Sequence, residues 1–252
     1  MMRLLINGAA GRMGINVINS AKKSGYFDYI VGIDKYAKNK KFEIPVYCST
    51  SDIDTKEKFD CIIDFSTKEA LYDILPYALK TKTPIVIATT GFDEKDEKYI
   101  KEASKSIPIF KSGNMSIGVN TLISVVEQVS KAIGSISDIE IIEQHHNQKI
   151  DSPSGTALML AKAVEDNTEI SNVTNGREGI VGKRPQKELG IHSVRGGSII
   201  GKHEVLFILD KEVLTFKHEA EDRAIFANGS IEAALFLSKE KPGLYNMRDI
   251  IK

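Results

Sequence analysis

The segment "EQHHNQKIDSPSGTA", Glu143 to Ala157, concentrates side chains that could move protons and hold anions. Histidine is the side chain whose unperturbed titration falls near neutrality, so His145 could donate or accept a proton. Lys149 adds a point charge, His146 a hydrogen-bond donor and Thr156 a hydroxyl. Ser154 is placed to cap a helix, and the free amides around Gly155 and Thr156 then make an anion site at its positive end. A dicarboxylate substrate suits this collection. A metal does not, because HExxH is absent, no cysteine is near, and Lys149 would add positive charge beside the ion. No metal is therefore expected. A histidine taken singly is more often a solvated loop residue; the cluster beside a helix start is what points to function.

Such a crossing needs a strand before it and a helix after it. "DIEIIEQHH" alternates as a strand does, and adjacent strand residues face opposite ways, so His145 and His146 must sit where that strand ends. "SGTALMLAKAVEDN" then reads as the helix. Upstream, the chain alternates strand and helix patterns. "RLLINGA", "YIVGID", "FDCIIDFS", "TPIVIATT" and "IPIFKSG" read as strands, and "GRMGINVINSAKKSG", "KEALYDILPYALK" and "DEKDEKYIKEAS" as helices. This βαβα order predicts a parallel, doubly wound sheet. After about Asn120 the pattern changes. A helix from Thr121 and the strand–helix crossing come first, and a long polar stretch from Thr168 to Gly190 follows. "IHSVRGG" is next, and "GKHEVLFILD" and "EVLTFKHEA" are spaced as a hairpin. "RAIFANGSIEAALFLSK" returns to helix, and "GLYNMRDIIK" closes the chain.

"INGAAGRMG" sets Gly8, Gly11 and Gly14 between the first strand and the first helix. The spacing is G-x-x-G-x-x-G, with Ala10 at the second glycine position of a dinucleotide fingerprint. Small residues there let the backbone approach a pyrophosphate at the helix start, and a tight strand–helix turn is the alternative use. Asp34 ends the second strand, where a carboxylate can bind ribose hydroxyls. Lys35 beside it could accept the 2′-phosphate of NADP, or be one solvated lysine of "DKYAKNKK". "ATTG" and "SGNMS" follow later strands, at the sheet end where ligands of such folds bind.

Composition narrows the classes. With 34 basic and 34 acidic residues the formal charge is zero, which argues against a nucleic-acid binder driven by bulk charge. No apolar run is long enough for a bilayer, so no membrane association is expected. The strand pattern begins at once, without a signal peptide, and the expected compartment is the cytoplasm. Cys48 and Cys61 show neither disulfide nor zinc spacing and read as packing residues. Val205 to Leu209 are five consecutive apolar residues, so both faces of that strand want burial. One face can pack on the domain's own helices; the other either meets a second subunit or is covered within the chain.

At the histidine–lysine stretch the chain resembles the 4-hydroxy-tetrahydrodipicolinate reductase (dihydrodipicolinate reductase) family. The resemblance runs nearly end to end, through "GAAGRMG", "DFS", "ATTGF", "GNMSIGVN", "EQHHNQKIDSPSGTAL", "REGIVGKR", "VRGGSIIGKHEVLF", "FANGSIEAALFL" and "GLYNMRDII". It implies reduction of the cyclic substrate to tetrahydrodipicolinate, with loss of water, using NADH or NADPH in lysine and diaminopimelate biosynthesis. It implies that Gly8, Ala9, Ala10, Gly11, Arg12 and Met13 hold the pyrophosphate and Asp34 the adenosine ribose. Lys35 matches a basic position near the 2′-phosphate. Ala88, Thr89 and Thr90, with Ser112, Gly113, Asn114 and Met115, match the other cofactor-contacting loops. His145 and Lys149 fall on the catalytic acid positions, and His146, Gly155 and Thr156 on those that bind the substrate carboxylate. The implied fold is α/β: a Rossmann-like parallel-sheet dinucleotide domain, 1–118 and 223–252, with an inserted α+β substrate and tetramerisation domain, 119–222. The implied assembly is a homotetramer. Lys35 stands where arginine is common, Met115 where phenylalanine is frequent, and Gln148 replaces a basic residue seen in some relatives.

Two other readings stay in view. A semialdehyde dehydrogenase on a similar plan needs a cysteine nucleophile in its catalytic domain, and both cysteines precede residue 62. A nicotinamide-sensing protein without turnover would bind cofactor, but would not need His145, Lys149 and the "PSGTA" helix start together.

Overall fold

The short apolar runs of the first half become the middle of a parallel sheet. The computed structural model describes residues 1–38, 41–54 and 56–251; Asn39 and Lys40 of the lysine-rich run, Thr55 and Lys252 lie outside the described residues. In chain order come β1 (Met2–Asn7), α1 (Arg12–Ser24), β2 (Phe27–Ile33), β3 (Val46–Tyr47), β4 (Cys61–Asp64), α2 (Leu71–Thr81), β5 (Ile85–Ile87), α3 (Glu94–Ala103) and β6 (Pro108–Lys111). All four residues of β4 and all three of β5 are buried, as strands covered on both faces must be. α1 ends where Gly25 turns left-handed at φ 70°, a conformation glycine adopts without steric cost.

The second segment holds α4 (Ile117–Ile133), β7 (Asp138–His145), α5 (Gly155–Glu165), β8 (Asn172–Asn175), β9 (Glu188–Arg195), β10 (Gly201–Leu209) and β11 (Glu212–Ala220). Its strands form one mixed sheet in the order β11-β10-β7-β9-β8. β10 and β11 are the expected hairpin, paired from Gly201 with Ala220 to Leu209 with Glu212. α4 and α5 cover one face, packing Val126, Leu160 and Val164 against Ile139, Ile141, Val205 and Phe207.

The chain then returns to the first sheet with α6 (Ala224–Leu237), β12 (Gly243–Tyr245) and α7 (Met247–Ile250). The parallel sheet runs β12-β6-β5-β4-β1-β2-β3, so the strand order reverses between β1 and β4. α6 is buried nearly all round, with Ala227, Ile231, Ala234 and Leu237 joining the core that holds Val17 of α1 and Ile63 of β4. Two compact units result, Met1–Ser116 with Arg223–Lys252, and Ile117–Asp222. The expected α/β architecture holds. Among the described residues no helix is long and apolar enough to cross a membrane.

Several details differ from the sequence expectation. α4 begins at Ile117, before the predicted start at Thr121. The polar stretch from Thr168 contains β8, and β9 already starts at Glu188. Cys61 is a buried packing residue, but Cys48 is exposed. The expectation fails for Cys48 because it follows the two-residue strand β3, which is the edge of the sheet among the described residues.

Candidate active site

In the first unit the strand ends gather one set of predicted residues. The loop after β1 is shaped by two glycines. Gly8 has φ 81°, and a Cβ there would stand 2.3 Å from the Phe65 carbonyl oxygen. A Cβ on Gly14 would stand 2.1 Å from the Gly8 carbonyl oxygen, so this glycine lets α1 start tight against the loop. Both are required by backbone approach alone, with or without a ligand. Asp34 grips the same loop: its carboxylate accepts from the Ala10 amide at 3.0 Å and from the Tyr36 amide at 2.9 Å. Gly8, Gly11, Asp34 and Lys35 line one cavity of about 430 Å³, together with Asn7, Ser66, Thr67 and Cys48. That volume lies within the ~300–1,000 Å³ typical of cofactor and ligand pockets. Glycine backbone at a helix start and a carboxylate at the second strand end are the donors and acceptors a dinucleotide requires, so these residues fit one.

The other predicted cofactor residues divide. Ala9, Thr89 and Met115 have buried side chains, whereas Arg12, Thr90 and Gly113 are exposed and Ala10, Met13, Ala88, Ser112 and Asn114 half-buried. Met115 belongs to the core around α6. The Ser112 hydroxyl donates to the Asn114 carbonyl at 2.7 Å, and the Asn114 side chain accepts from the Ser116 amide at 2.8 Å, which folds that loop on itself.

A residue outside the predicted set ties three loops together. Asp64, fully buried at the end of β4, accepts from the Asn7 side-chain amide at 2.7 Å, the Ser66 hydroxyl and the Thr89 hydroxyl at 2.7 Å. Burial pushes its carboxyl up, and the hydroxyl and amide bonds offset this only in part. An acid closing the apolar run "CIID" was the available signal.

In the second unit β7 ends at His145, and His146 follows it directly. Ile139, Ile141, Glu143 and His145 share the buried face. His145 Nδ1 lies 2.6 Å from Glu143 Oε2. Glu143 is fully buried, and Arg195 on β9 grips it with two forked bonds of 2.8 and 2.7 Å. The Ser154 amide donates to its Oε1 at 3.1 Å. Burial raises the Glu143 carboxyl, but the bonds from Arg195, Ser193 and His145 outweigh it and hold the group at about 2. For His145, burial lowers the imidazole, and the Glu143 contact only partly restores it.

Ser154 caps α5 as expected, its hydroxyl accepting from the Ala157 amide at 3.1 Å. The same hydroxyl lies 3.0 Å from His203 Nε2, and the His203 ring meets the His145 ring edge-on at 5.1 Å. Burial, then the charge of His145, holds His203 down to about 3, so it is neutral at physiological pH. Gly155 is exposed, and a Cβ built there meets nothing within 4 Å, so the helix start opens onto free space. Lys149 pairs with the half-exposed Asp151 at 2.8 Å. His146 and Thr156 are half-buried beside these groups in sequence. Glu143, Arg195 and His203 were absent from the sequence-derived set. A charge on the core-facing phase of "DIEIIE" was the legible sign of Glu143, since a buried carboxylate demands a partner. Among the described residues no group of three His, Cys, Asp or Glu is arranged to hold a metal ion.

A parallel sheet with a glycine loop and a carboxylate after its second strand, joined in one chain to a unit carrying buried acid–base groups beside a capped helix start, is the plan of a dinucleotide-dependent oxidoreductase. The comparisons place it more closely. Residues 2–115 match the family description "Dihydrodipicolinate reductase, N-terminus" and residues 118–251 "Dihydrodipicolinate reductase, C-terminus". The chain belongs to the dihydrodipicolinate reductase family, NAD(P)H-dependent oxidoreductases of lysine and diaminopimelate biosynthesis. It is 45% identical to the 4-hydroxy-tetrahydrodipicolinate reductase of Caldanaerobacter subterraneus subsp. tengcongensis, over 100% of this chain and 99% of that protein. It is 39% identical to the protein of the same name from Clostridium novyi, with the same coverage of both chains. Among solved structures, the dipicolinate-bound dihydrodipicolinate reductase of Paenisporosarcina sp. TG-14 shares the fold, with a TM-score of 0.82 at 22% identity over 99% of each chain.

Proposed function

We propose that this chain reduces 4-hydroxy-tetrahydrodipicolinate to tetrahydrodipicolinate with loss of water, and that its two units divide the work. Met1–Ser116 with Arg223–Lys252 binds the dinucleotide, and Ile117–Asp222 binds the substrate. When bound, NADH or NADPH supplies the hydride. Gly8 to Met13 receive the pyrophosphate, Asp34 the ribose hydroxyls, and Lys35 the 2′-phosphate where there is one; Ala88 to Thr90 and Ser112 to Met115 complete the cofactor side. Hydride addition and departure of the hydroxyl as water together consume one proton. His145 and Lys149 are the groups that supply it, while His146, Gly155 and Thr156 hold a substrate carboxylate at the positive end of α5.

The observation that carries this reading is the crossing itself. A buried histidine joined to an ionised carboxylate is tied through that carboxylate to a capped helix start, where a Cβ on Gly155 would meet nothing within 4 Å. The test is oxidation of NADH and of NADPH, followed by absorbance, with enzymatically generated substrate. Folded protein that shows no substrate-dependent loss with either cofactor overturns the proposal.

Assembly and compartment belong to the same reading. The face of the second sheet opposite α4 and α5 carries half-buried Leu206 and Ile208 and the 54%-exposed Val213. On the same face Glu140 is gripped by Arg177 at 2.8 Å and Arg184 at 3.0 Å. An apolar stripe beside an ordered ionic cluster supports a homotetramer built through this sheet. A monomer mass by light scattering at micromolar concentration overturns it. The cytoplasm is the compartment expected of such a soluble biosynthetic enzyme.

A further inference from the structure

We propose that Glu143 is the positioning residue of the reaction: it fixes His145 in one tautomer and one orientation, and ties that histidine to the helix start that receives the substrate. This rests on the role given to His145 above. An ionised carboxylate only accepts hydrogen bonds, so at 2.6 Å the Nδ1 of His145 must be the donor. The neutral ring then carries its proton on Nδ1, and Nε2 is the atom that gains and gives the reacting proton. Gly201 lies against that atom: a Cβ there would stand 3.1 Å from His145 Nε2, so any larger residue would crowd it. Glu143 cannot turn away, because Arg195 holds both carboxylate oxygens and is itself anchored to the Asp151 carbonyl at 2.8 Å. Its Oε1 also takes the Ser154 amide, so one carboxylate fixes both the proton carrier and the first turn of α5. Any displacement of Glu143 shifts the two together.

The test is a double-mutant cycle of Glu143→Gln and His145→Ala, with kcat measured across pH. The glutamine keeps the size and can still accept from Arg195 and Ser154, but loses the charge. Glu143→Gln is expected to lower kcat by roughly tenfold to a hundredfold, within the range of general acid–base contributions. The charged groups facing His145 are Glu143, Lys149 and Arg195, with neutral His203 against its ring. Without Glu143 the remaining charges are positive and disfavour the imidazolium, so the limb along which kcat falls with rising pH moves to lower pH, by about one unit or more. The NADH dissociation constant stays within about twofold of wild type, and the double variant is no slower than His145→Ala alone, because both substitutions break one unit. Histidine nitrogen NMR of the wild-type protein gives an independent reading, with the His145 signal assigned by its loss in His145→Ala: Nδ1 protonated and Nε2 bare above the titration. Bare Nδ1, or Glu143→Gln with wild-type kcat and an unmoved limb, overturns the inference. If His145→Ala itself keeps wild-type kcat, the role of His145 falls, and this inference falls with it.

Discussion

Asp64 at the end of β4 and Glu143 near the end of β7 are both fully buried carboxylates, yet their partners differ in kind. Asp64 is satisfied by neutral donors, two hydroxyls and an amide. Glu143 is satisfied by a guanidinium fork, an imidazole and a backbone amide. Burial raises both, but only Glu143 has the cationic partners to reverse it, down to about 2. The difference separates two uses of the same side chain. Neutral donors make Asp64 a hub that sets the spacing of the three loops after β1, β4 and β5, which we propose meet the cofactor. Ionic partners make Glu143 a permanent negative charge beside the imidazole that we propose changes its protonation. Substitutions in the first region should therefore act on cofactor binding, and those in the second on turnover.

The largest expected effects lie in the second region. His145→Ala and Lys149→Ala should each lower kcat by about a hundredfold or more, the usual scale for general acid–base groups. His146→Ala should act mainly on KM, as a carboxylate contact made equally in ground and transition states does. Fluorescence titration should show NADH binding little changed in all three. Collapse of NADH affinity with kcat retained would move the crossing to the cofactor site and dissolve the comparison.

Acid unfolding sharpens the contrast by sign. The Glu143 carboxyl is held at about 2, below its ordinary 4.5, so its contribution to stability is complete above 4.5 and lost as pH falls toward 2. Asp64 is raised above its ordinary 3.8, so its contribution is present below that value and lost as pH rises through the raised one. Glu143→Gln should thus be costly near neutrality and progressively less so at about pH 3, whereas Asp64→Asn should gain on wild type as pH rises. Thermal midpoints across pH check both, and parallel profiles would mean the two carboxylates are equivalent. In kinetics, Asp64→Asn should raise the KM for NADH about tenfold, on the scale of one lost buried hydrogen bond to a charged group, with kcat nearly kept.

How much of this was legible follows from where the information lies. The alternation of "DIEIIEQHH" showed the strand, its end and the place of both histidines, because period-two burial is a local property. Ser154 was readable as a cap for the same reason. β3, β8 and β12 were not, since a short edge strand is made by backbone pairing and needs no apolar signal. Nor could the sequence show that Arg195 grips Glu143, 52 residues away, or that Asn7 and Thr89 converge on Asp64. Those pairings are fixed by sheet order, β9 beside β7 and β4 between β1 and β5.

A smaller effect tests the cofactor side. Lys35 shares the cavity of about 430 Å³ with the carboxylates of Asp34, Glu69 and Asp73, and is the one cation among the described lining residues. Lys35→Ala should weaken NADPH about tenfold, a surface charge–phosphate contact, and NADH much less. Equal loss with both cofactors would show that Lys35 does not meet the phosphate.

The smallest effect concerns Asp151, and it bears on how Lys149 can serve a substrate while already paired. The pair is 2.8 Å long, with the Asp151 side chain 53% exposed and that of Lys149 20% exposed. Lys149 holds the Asp151 carboxyl below its ordinary range, chiefly through their hydrogen bond. A pair with one half-exposed partner is worth ~1 kcal/mol, little enough for an incoming carboxylate to replace or share it. On the role proposed for Lys149, Asp151 therefore competes weakly with substrate for the same ammonium. Asp151→Asn should lower the KM for substrate by at most about fivefold, the ceiling set by that pair energy, and leave kcat and NADH binding unchanged. The gain should shrink as salt is added, because screening weakens the competition in the wild type as well. If Asp151→Asn instead lowers kcat, Asp151 holds Lys149 in its working position rather than competing for it. Lys149 would then depend on a carboxylate as His145 depends on Glu143, and turnover in the second region would rest on two anchored proton carriers.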